Sequence, residues 1–283
     1  MKKLIVTGDD FGLAEPVNEA IVEAHRRGVL TAASLMVGGG SARDAVERAK
    51  EVPSLRIGLH LVVVEGRPVL APEQVPDLVD RDGQFSRRLA RSGFNFFFRP
   101  AARRQLEAEI RAQFQAFHNT GFALDHANAH NHMHLHPTIL TLMIQVGKEY
   151  GLQSIRFPYE PPLRAWRASR RELCSKISWW IFLSPWLKLM KRRLRRAGAQ
   201  INEYMFGMSD SGRMTRDLVI ALLGEVPTGI TEMYFHPATR RCPEIDRDMP
   251  KYRHEEEFKS LTHPLVLEAL KRNGIQLCAF SDL

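Results

Sequence analysis

The chain has 283 residues, 44% of them hydrophobic and 25% charged, which is ordinary globular composition with room for one large core. No apolar run reaches the roughly 18–20 residues of a membrane span, and the run after Met1-Lys2-Lys3 is too short for a secretory leader. Three scattered cysteines, Cys174, Cys242 and Cys278, argue against a disulfide framework or a zinc knuckle, so a reducing cytoplasm is expected.

Residues 4–7 read as a short strand. Pro16 suits the first turn of a helix carrying Val17, Ala20, Ile21 and Ala24 at helical spacing, and Gly28 stops it. A second strand is predicted over 32–37, ending in Gly38-Gly39-Gly40, with Ser41 capping the next helix. The continuous apolar run 57–64 predicts a strand buried on both faces. Residues 65–100, rich in Pro, Gly and Arg, read as a long excursion with little regular structure, of the kind that walls a site.

The alternation resumes at 103–119, an amphipathic helix with Leu106, Ile110, Phe114 and Phe117 on one face. Residues 122–128 lead into a His-rich loop, Pro137 opens a helix that Gly151 ends, and 154–157 is another short strand. After a basic segment come a helix near 216–223, a strand at 229–235, a helix at 263–272 and a last strand at 275–280. Such alternation implies parallel pairing with crossovers. About seven units of this kind favour a TIM-like α/β barrel, closed or nearly so, over an open doubly wound sheet.

Polar clusters fall where strands are predicted to end: Asp9-Asp10 after the first, His60 in or after the third, and His130, Asn131, His132, His134 and His136 after the fourth. His236, followed by Pro237, comes after the strand at 229–235. In a parallel barrel all C-terminal strand ends open onto one face, so these residues are expected to converge. Singly each has a bland reading: an acidic turn, a satisfied core histidine, a solvated His-rich loop. His25, His118, His254 and His263 read as surface or helix-end residues. A carboxylate and two neutral imidazoles suit a divalent metal with open positions. The second carboxylate can take the proton of an attacking water, and His236 can protonate a departing amine. Histidines at alternate positions of an extended loop would project to one side.

At these residues the chain resembles the YdjC/ChbG family of carbohydrate deacetylases. The resemblance runs through Asp9-Asp10-Phe11-Gly12-Leu13, the strand 31–37, Gly58-Leu59-His60-Leu61, the histidine loop and His236-Pro237. It implies an incomplete β/α barrel with long loops over the C-terminal face, spanning 1–283 as one domain. It also implies that Asp9 is the general base, that Asp10, His60 and His130 are metal ligands, and that His236 is the general acid. Arg156 would orient the substrate or Asp9. Asn128, Ala129 and Asn131 stand where the family has Asp, Ser and His, which bears on the groups that orient the ligands; His132 and His134 would serve there or contact sugar. The likeness is greatest to the hopanoid-biosynthesis branch, HpnK, through Val64–Leu70, Phe97–Pro100, His132–Thr138 and Phe280–Leu283. That branch implies an N-acetylglucosaminyl group on a bacteriohopanetetrol lipid as substrate. One divalent ion is implied, zinc first, with Mg, Mn, Co, Ni or Fe accepted by the same donors.

The net charge of +8 is local. Residues 163–200 hold eleven of the forty Lys and Arg, a single acid (Glu172) and all four tryptophans, Trp166, Trp179, Trp180 and Trp186. Aromatic residues beside cations suit an interfacial helix on anionic lipid, broken here by Pro185. The alternative is a helical pair packed on the barrel with a solvated basic face. A nucleic-acid partner is not expected, because no binding module accompanies the charge. The expectation is therefore a cytoplasmic deacetylase, peripheral to the inner face of the membrane, acting on a glycolipid amino sugar, with homo-oligomerisation left open. Its rivals are a deacetylase of soluble chitooligosaccharides, a metal-dependent sugar isomerase and a non-catalytic membrane module.

Overall fold

A computed structural model describes all 283 residues. In chain order the elements are β1 (Lys2–Phe11), α1 (Glu15–Arg27), β2 (Ala32–Leu35), α2 (Ala42–Lys50), β3 (Arg56–Leu61), α3 (Leu89–Phe98), α4 (Pro100–His118), β4 (Ala127–Ala129) and α5 (Pro137–Glu149). The second half comprises α6 (Pro162–Ser169), α7 (Leu173–Arg196), β5 (Tyr204–Phe206), α8 (Arg216–Glu225), β6 (Gly229–Phe235), α9 (Pro243–Asp248), α10 (His254–Leu261), α11 (Pro264–Arg272) and β7 (Ile275–Cys278). Proline sits in the first turn of α1, α4, α5, α6, α9 and α11, where its missing N–H would have no helical partner anyway.

All pairings between these strands are parallel, in the order β4-β3-β2-β1-β6-β5, with β7 also against the first half of β1. Helices cover the sheet, and the architecture is a TIM-like incomplete barrel, as the alternation implied. β1 is the central strand: from Leu4 onward every residue is buried, because both edges are paired and both faces are covered. Between β4 and β5 the wall is thin. Residues 154–157 are extended but contribute only single bridges, Ala127 with Ile155 and Ser154 with Gln200, so the strand expected there is not a ladder.

Several boundaries differ from the sequence reading, each for a local reason. β1 runs on through Asp9 and Asp10, so the acidic pair lies within the strand's end rather than after it. β5, α9 and α10 were not anticipated; β5 has three residues, too short for a periodic pattern. The 65–100 excursion contains a 3-10 turn at Pro72–Gln74 and the helix α3, built from Leu-Ala-Arg-Ser-Gly-Phe-Asn-Phe-Phe-Phe. The 163–200 segment folds as α6 and α7. Pro185 does not break α7, which continues through it for 24 residues in all. No helix of the structure is long and apolar enough to cross a membrane.

Candidate metal centre and catalytic cavity

The end of β1 sets the site. Successive strand residues point to opposite faces, which would separate Asp9 from Asp10. Instead the β1–β2 register shifts between Gly8 and Phe11, and Asp10 takes a left-handed φ of 62°. A non-glycine residue held there costs on the order of 1–3 kcal/mol and persists only where its surroundings dictate it. Here the bulge leaves both carboxylates at the C-terminal end of the barrel, where His60 from β3 and His130 after β4 arrive.

Asp10, His60 and His130 are all buried, and one ligand atom from each lies within 4.8 Å of the others. Asp10 Oδ1 is 3.2 Å from His60 Nε2 and 3.2 Å from His130 Nδ1, and the two ring nitrogens are 3.4 Å apart. Asp10 Oδ2 is buried with no hydrogen-bond partner. The second ring nitrogen of His60 decides its tautomer: Asn128 Oδ1 can only accept, at 2.6 Å, so His60 Nδ1 carries the proton and Nε2 presents a lone pair. Lone pairs crowded this closely need a positive centre. Burial alone would raise the Asp10 pKa, yet the adjoining His130 and His60 hold it well below the ordinary carboxylate range. Burial would lower His130, and Asp10 outweighs it and raises it. The donor set of two imidazoles and a carboxylate fits a divalent metal.

Asp9 lies beside this cluster, bound in a fork by Arg156: Nη1 donates to Oδ2 at 2.6 Å and Nη2 to Oδ1 at 2.9 Å. Arg156 is fully buried, and its remaining donors go to Glu232 of β6 at 2.8 and 3.0 Å. The fork fixes the orientation of the Asp9 carboxylate. Burial would raise the Asp9 carboxyl, but the guanidinium prevails and holds it well below its usual range. Asn128 Nδ2 donates to Asp9 Oδ1 at 3.3 Å and to Ser34 Oγ at 2.9 Å, so one amide touches Asp9, His60 and Ser34 together. Ser34 Oγ in turn reaches His126 Nε2 at 3.0 Å, and His126 Nδ1 reaches Asp125 at 2.8 Å. Asn128 thus accepts from His60 while donating to Asp9 and Ser34.

The histidine run is not extended. It coils into a 3-10 turn over His130–Leu135, with Asn131 and His132 at φ 52° and 51°. The side chains consequently diverge rather than projecting to one side. His130 joins Asp10. His132 Nε2 lies 3.0 Å from the Tyr234 hydroxyl. His134 is fully buried with neither ring nitrogen partnered, and burial followed by the nearby Arg156 charge pushes its pKa down to about 3. His136 caps α5, accepting from Thr138 N–H at 3.3 Å.

His236 sits across the cluster, its Nε2 4.0 Å from Asp10 Oδ2 and its Nδ1 buried without a partner. Burial lowers its pKa to about 4. Its backbone is clamped: the N–H donates to Glu257 at 2.6 Å and the carbonyl accepts from His254 Nδ1 at 2.7 Å. His254 opens α10, a helix-end residue as expected, and it is buried rather than at the surface because α10 packs it under this carbonyl.

A cavity of about 230 Å³ is lined by Asp9, His60, His130, His132, Tyr234 and His236 among others. Beside it, a cleft of about 460 Å³ shares Asn131, His132 and Met208 with the cavity and is walled by Trp179, Trp180, Leu183 and Leu187 of α7. Sequence reasoning missed Glu232, Ser34, His126, Tyr234 and Glu257. Of these only Glu232 left a mark, a charge in the middle of an otherwise apolar strand, Gly-Ile-Thr-Glu-Met-Tyr-Phe.

The chain matches the family described as YdjC-like protein over residues 3–272. The chain belongs to that family. It is 28% identical over 284 residues to a carbohydrate deacetylase of Thermoanaerobacter pseudethanolicus, covering the whole of both chains, and 29% identical over 280 residues to one of Geobacillus stearothermophilus, covering 98% of this chain and 96% of the other. A carbohydrate deacetylase of Brevibacillus brevis is 42% identical over 157 residues, a match that spans 56% of this chain and 60% of the relative. Among solved structures, a putative cellobiose-phosphate cleavage protein of Enterococcus faecalis superposes with a TM-score of 0.76 at 26% identity, over 99% of this chain and 98% of that one.

Proposed function

We propose that this YdjC-like protein is a metal-dependent carbohydrate N-deacetylase, a hydrolase that cleaves the acetamide of an amino sugar and releases acetate, with 1–283 acting as one catalytic domain. The observation that carries the reading is the convergence of Asp10, His60 and His130 within 4.8 Å beside an Arg-bound Asp9. Its company is an alignment over the full chain with proteins described as carbohydrate deacetylases.

Asp10, His60 and His130 would hold the ion; zinc suits the donors best, and Mg, Mn, Co, Ni and Fe are also accepted. When bound, such an ion supplies Lewis-acid polarisation of the acyl oxygen and acidifies water. Asp9 stays ionised at neutral pH under the Arg156 charge and takes a proton from the attacking water. Its low basicity means that it gives the proton up readily. His236, near 4 and therefore neutral at pH 7, acts as the acid by receiving the proton that Asp9 removed from water and passing it to the departing amine, which leaves Asp9 ionised and His236 neutral again. His132 and Tyr234 line the cavity where a sugar ring would lie.

The substrate is a glycolipid amino sugar, an N-acetylglucosaminyl hopanoid by likeness to the HpnK branch, reached by peripheral contact of 163–200 with the inner face of the cytoplasmic membrane. The cleft walled by Trp179, Trp180, Leu183 and Leu187 supports this, since it adjoins the catalytic cavity and could take an apolar aglycone. A soluble chitooligosaccharide is the second reading, favoured by the full-length relatives described only as carbohydrate deacetylases. The test is incubation of metal-loaded protein with acetylglucosaminyl hopanoid and, separately, with N,N′-diacetylchitobiose, following loss of acetyl by mass spectrometry and acetate enzymatically. Loss from the hopanoid supports the lipid reading and loss from diacetylchitobiose alone the second. Acetate from neither, or a rearranged sugar without acetate, refutes the deacetylase.

A further inference from the structure

The turn at 131–136 is flanked by two helices with unusually apolar exposed sides. α7 meets it through the cleft that Asn131, His132 and Leu135 share with Trp179 and Trp180. α3 meets its far end, where Phe96 and Phe97 set their rings edge-on to His136 at 6.3 and 6.2 Å. Beyond these contacts, Phe94 and Phe98 of α3 remain 61% and 62% exposed, and Ile181 and Phe182 of α7 59% and 73%. Single exposed apolar side chains are common, but two groups of them, on helices that flank one short turn beside the cavity, mark a candidate interaction surface.

Charge says what the surface meets. Residues 83–106 hold six arginines and no acid. Residues 173–200 hold seven Lys and Arg and no acid, and of these only Lys176 is buried. Lys176 is also the anchor of α7, donating to Asp210 at 2.7 Å on the loop that carries the cavity residues Met208 and Ser211. Aromatic and aliphatic tips with cations alongside are the pattern that seats a helix in the headgroup layer of an anionic leaflet. The arginines of the first stretch flank α3 rather than sit on it, Arg91 excepted, and Arg88, Arg91, Arg103 and Arg104 have no acidic partner; a protein partner would need no such one-sided charge around both helices.

We propose that α3 and α7 together form a docking face for an anionic lipid bilayer, holding the catalytic cavity and its apolar cleft against the membrane surface. α7 alone was legible as an interfacial candidate in the sequence; α3, read there as irregular loop, supplies the second foot. The proposal deepens the glycolipid reading and rests on it only for its purpose, because bilayer binding requires no sugar.

The experiment is flotation of the intact protein with vesicles of mixed phosphatidylcholine and phosphatidylglycerol, against vesicles of phosphatidylcholine alone. The protein is expected to float with the anionic vesicles and to be released by salt. The paired variants Phe94→Ser/Phe98→Ser on α3 and Ile181→Ser/Phe182→Ser on α7 should each weaken binding by at least about tenfold while keeping the unfolding midpoint. Absence of flotation by the wild type overturns the proposal, and so does wild-type flotation by the α3 pair. A stable dimer that either pair dissociates also overturns it, since a second copy would then cover the face. Flotation without hopanoid deacetylation leaves the docking face standing and removes the substrate assignment instead.

Discussion

Asp9, Glu232 and Arg156 bury two negative charges around one positive charge, with all three side chains almost inaccessible. Breaking such a set by removing one partner leaves an uncompensated buried charge, which costs about 3–5 kcal/mol. Arg156→Met is accordingly expected to destabilise the fold by that amount in urea titration, in addition to releasing Asp9. Asp9→Asn keeps the size of the side chain and leaves Asp10, His60 and His130 in place; turnover should fall about 10²–10⁴-fold, with metal content by elemental analysis unchanged. Asn128→Leu removes the acceptor that fixes the His60 tautomer, and metal affinity should drop about 10–100-fold in chelator competition. His134 carries a pH dependence. Burial keeps it neutral down to about 3, whereas the unfolded chain takes the proton near the ordinary 6.5. Its contribution is complete above pH 6.5 and is lost as the pH falls toward 3, amounting to about 2 kcal/mol by pH 5. In His134→Phe that part of the acid limb should be missing, so the stability difference between variant and wild type shifts by about this much between pH 7 and 5.

At the scale of elements, β3 and the turn after β4 show how backbone choices serve the site. Gly58 lies where an added Cβ would fall 2.4 Å from the His126 ring, so its missing side chain lets His126 reach Ser34 and support Asn128. Gly58→Ala must push that imidazole aside. Overpacking of this kind costs about 1–3 kcal/mol, seen as a lower denaturation midpoint, and the displaced Ser34–Asn128 contact should weaken metal binding as well. The left-handed residues Asn131 and His132 turn the chain just after His130, which is why His132 lines the cavity wall, His134 enters the protein interior and His136 caps α5, while His130 alone of the run joins Asp10 and His60. Periodicity read the apolar positions of α4 and the span of β6 well. It missed α3, whose Phe-rich sequence has no polar face to betray a helix packed on one side only.

At the scale of the molecule, parallel strands bring residues from positions 9, 10, 60, 130 and 236 to one rim. Because the cluster exists only in the folded chain, an ion bound there stabilises the whole fold by linkage. A divalent ion at about 100 times its dissociation constant should add about 2.7 kcal/mol. A chelator should reverse the rise in melting temperature, and Asp10→Ala should abolish it. The cleft lies beside the thin stretch of wall: α7 walls it and sets Lys191 over the Phe157 ring, next to the residues that make single bridges instead of a ladder.

The amino-acid sequence by itself determined the alternation of strands and helices, and with it the rim on which Asp10, His60 and His130 meet, because apolar period and strand ends are local properties. It also determined that the basic tryptophan segment stands apart from the rest in charge. The tertiary structure alone decided that Arg156 faces Asp9 and Glu232, that Asn128 holds His60, and that His132 and His134 turn away from the cluster. Those outcomes depend on a bulge, two left-handed residues and contacts between side chains more than sixty positions apart, none of which leaves a periodic trace in the chain.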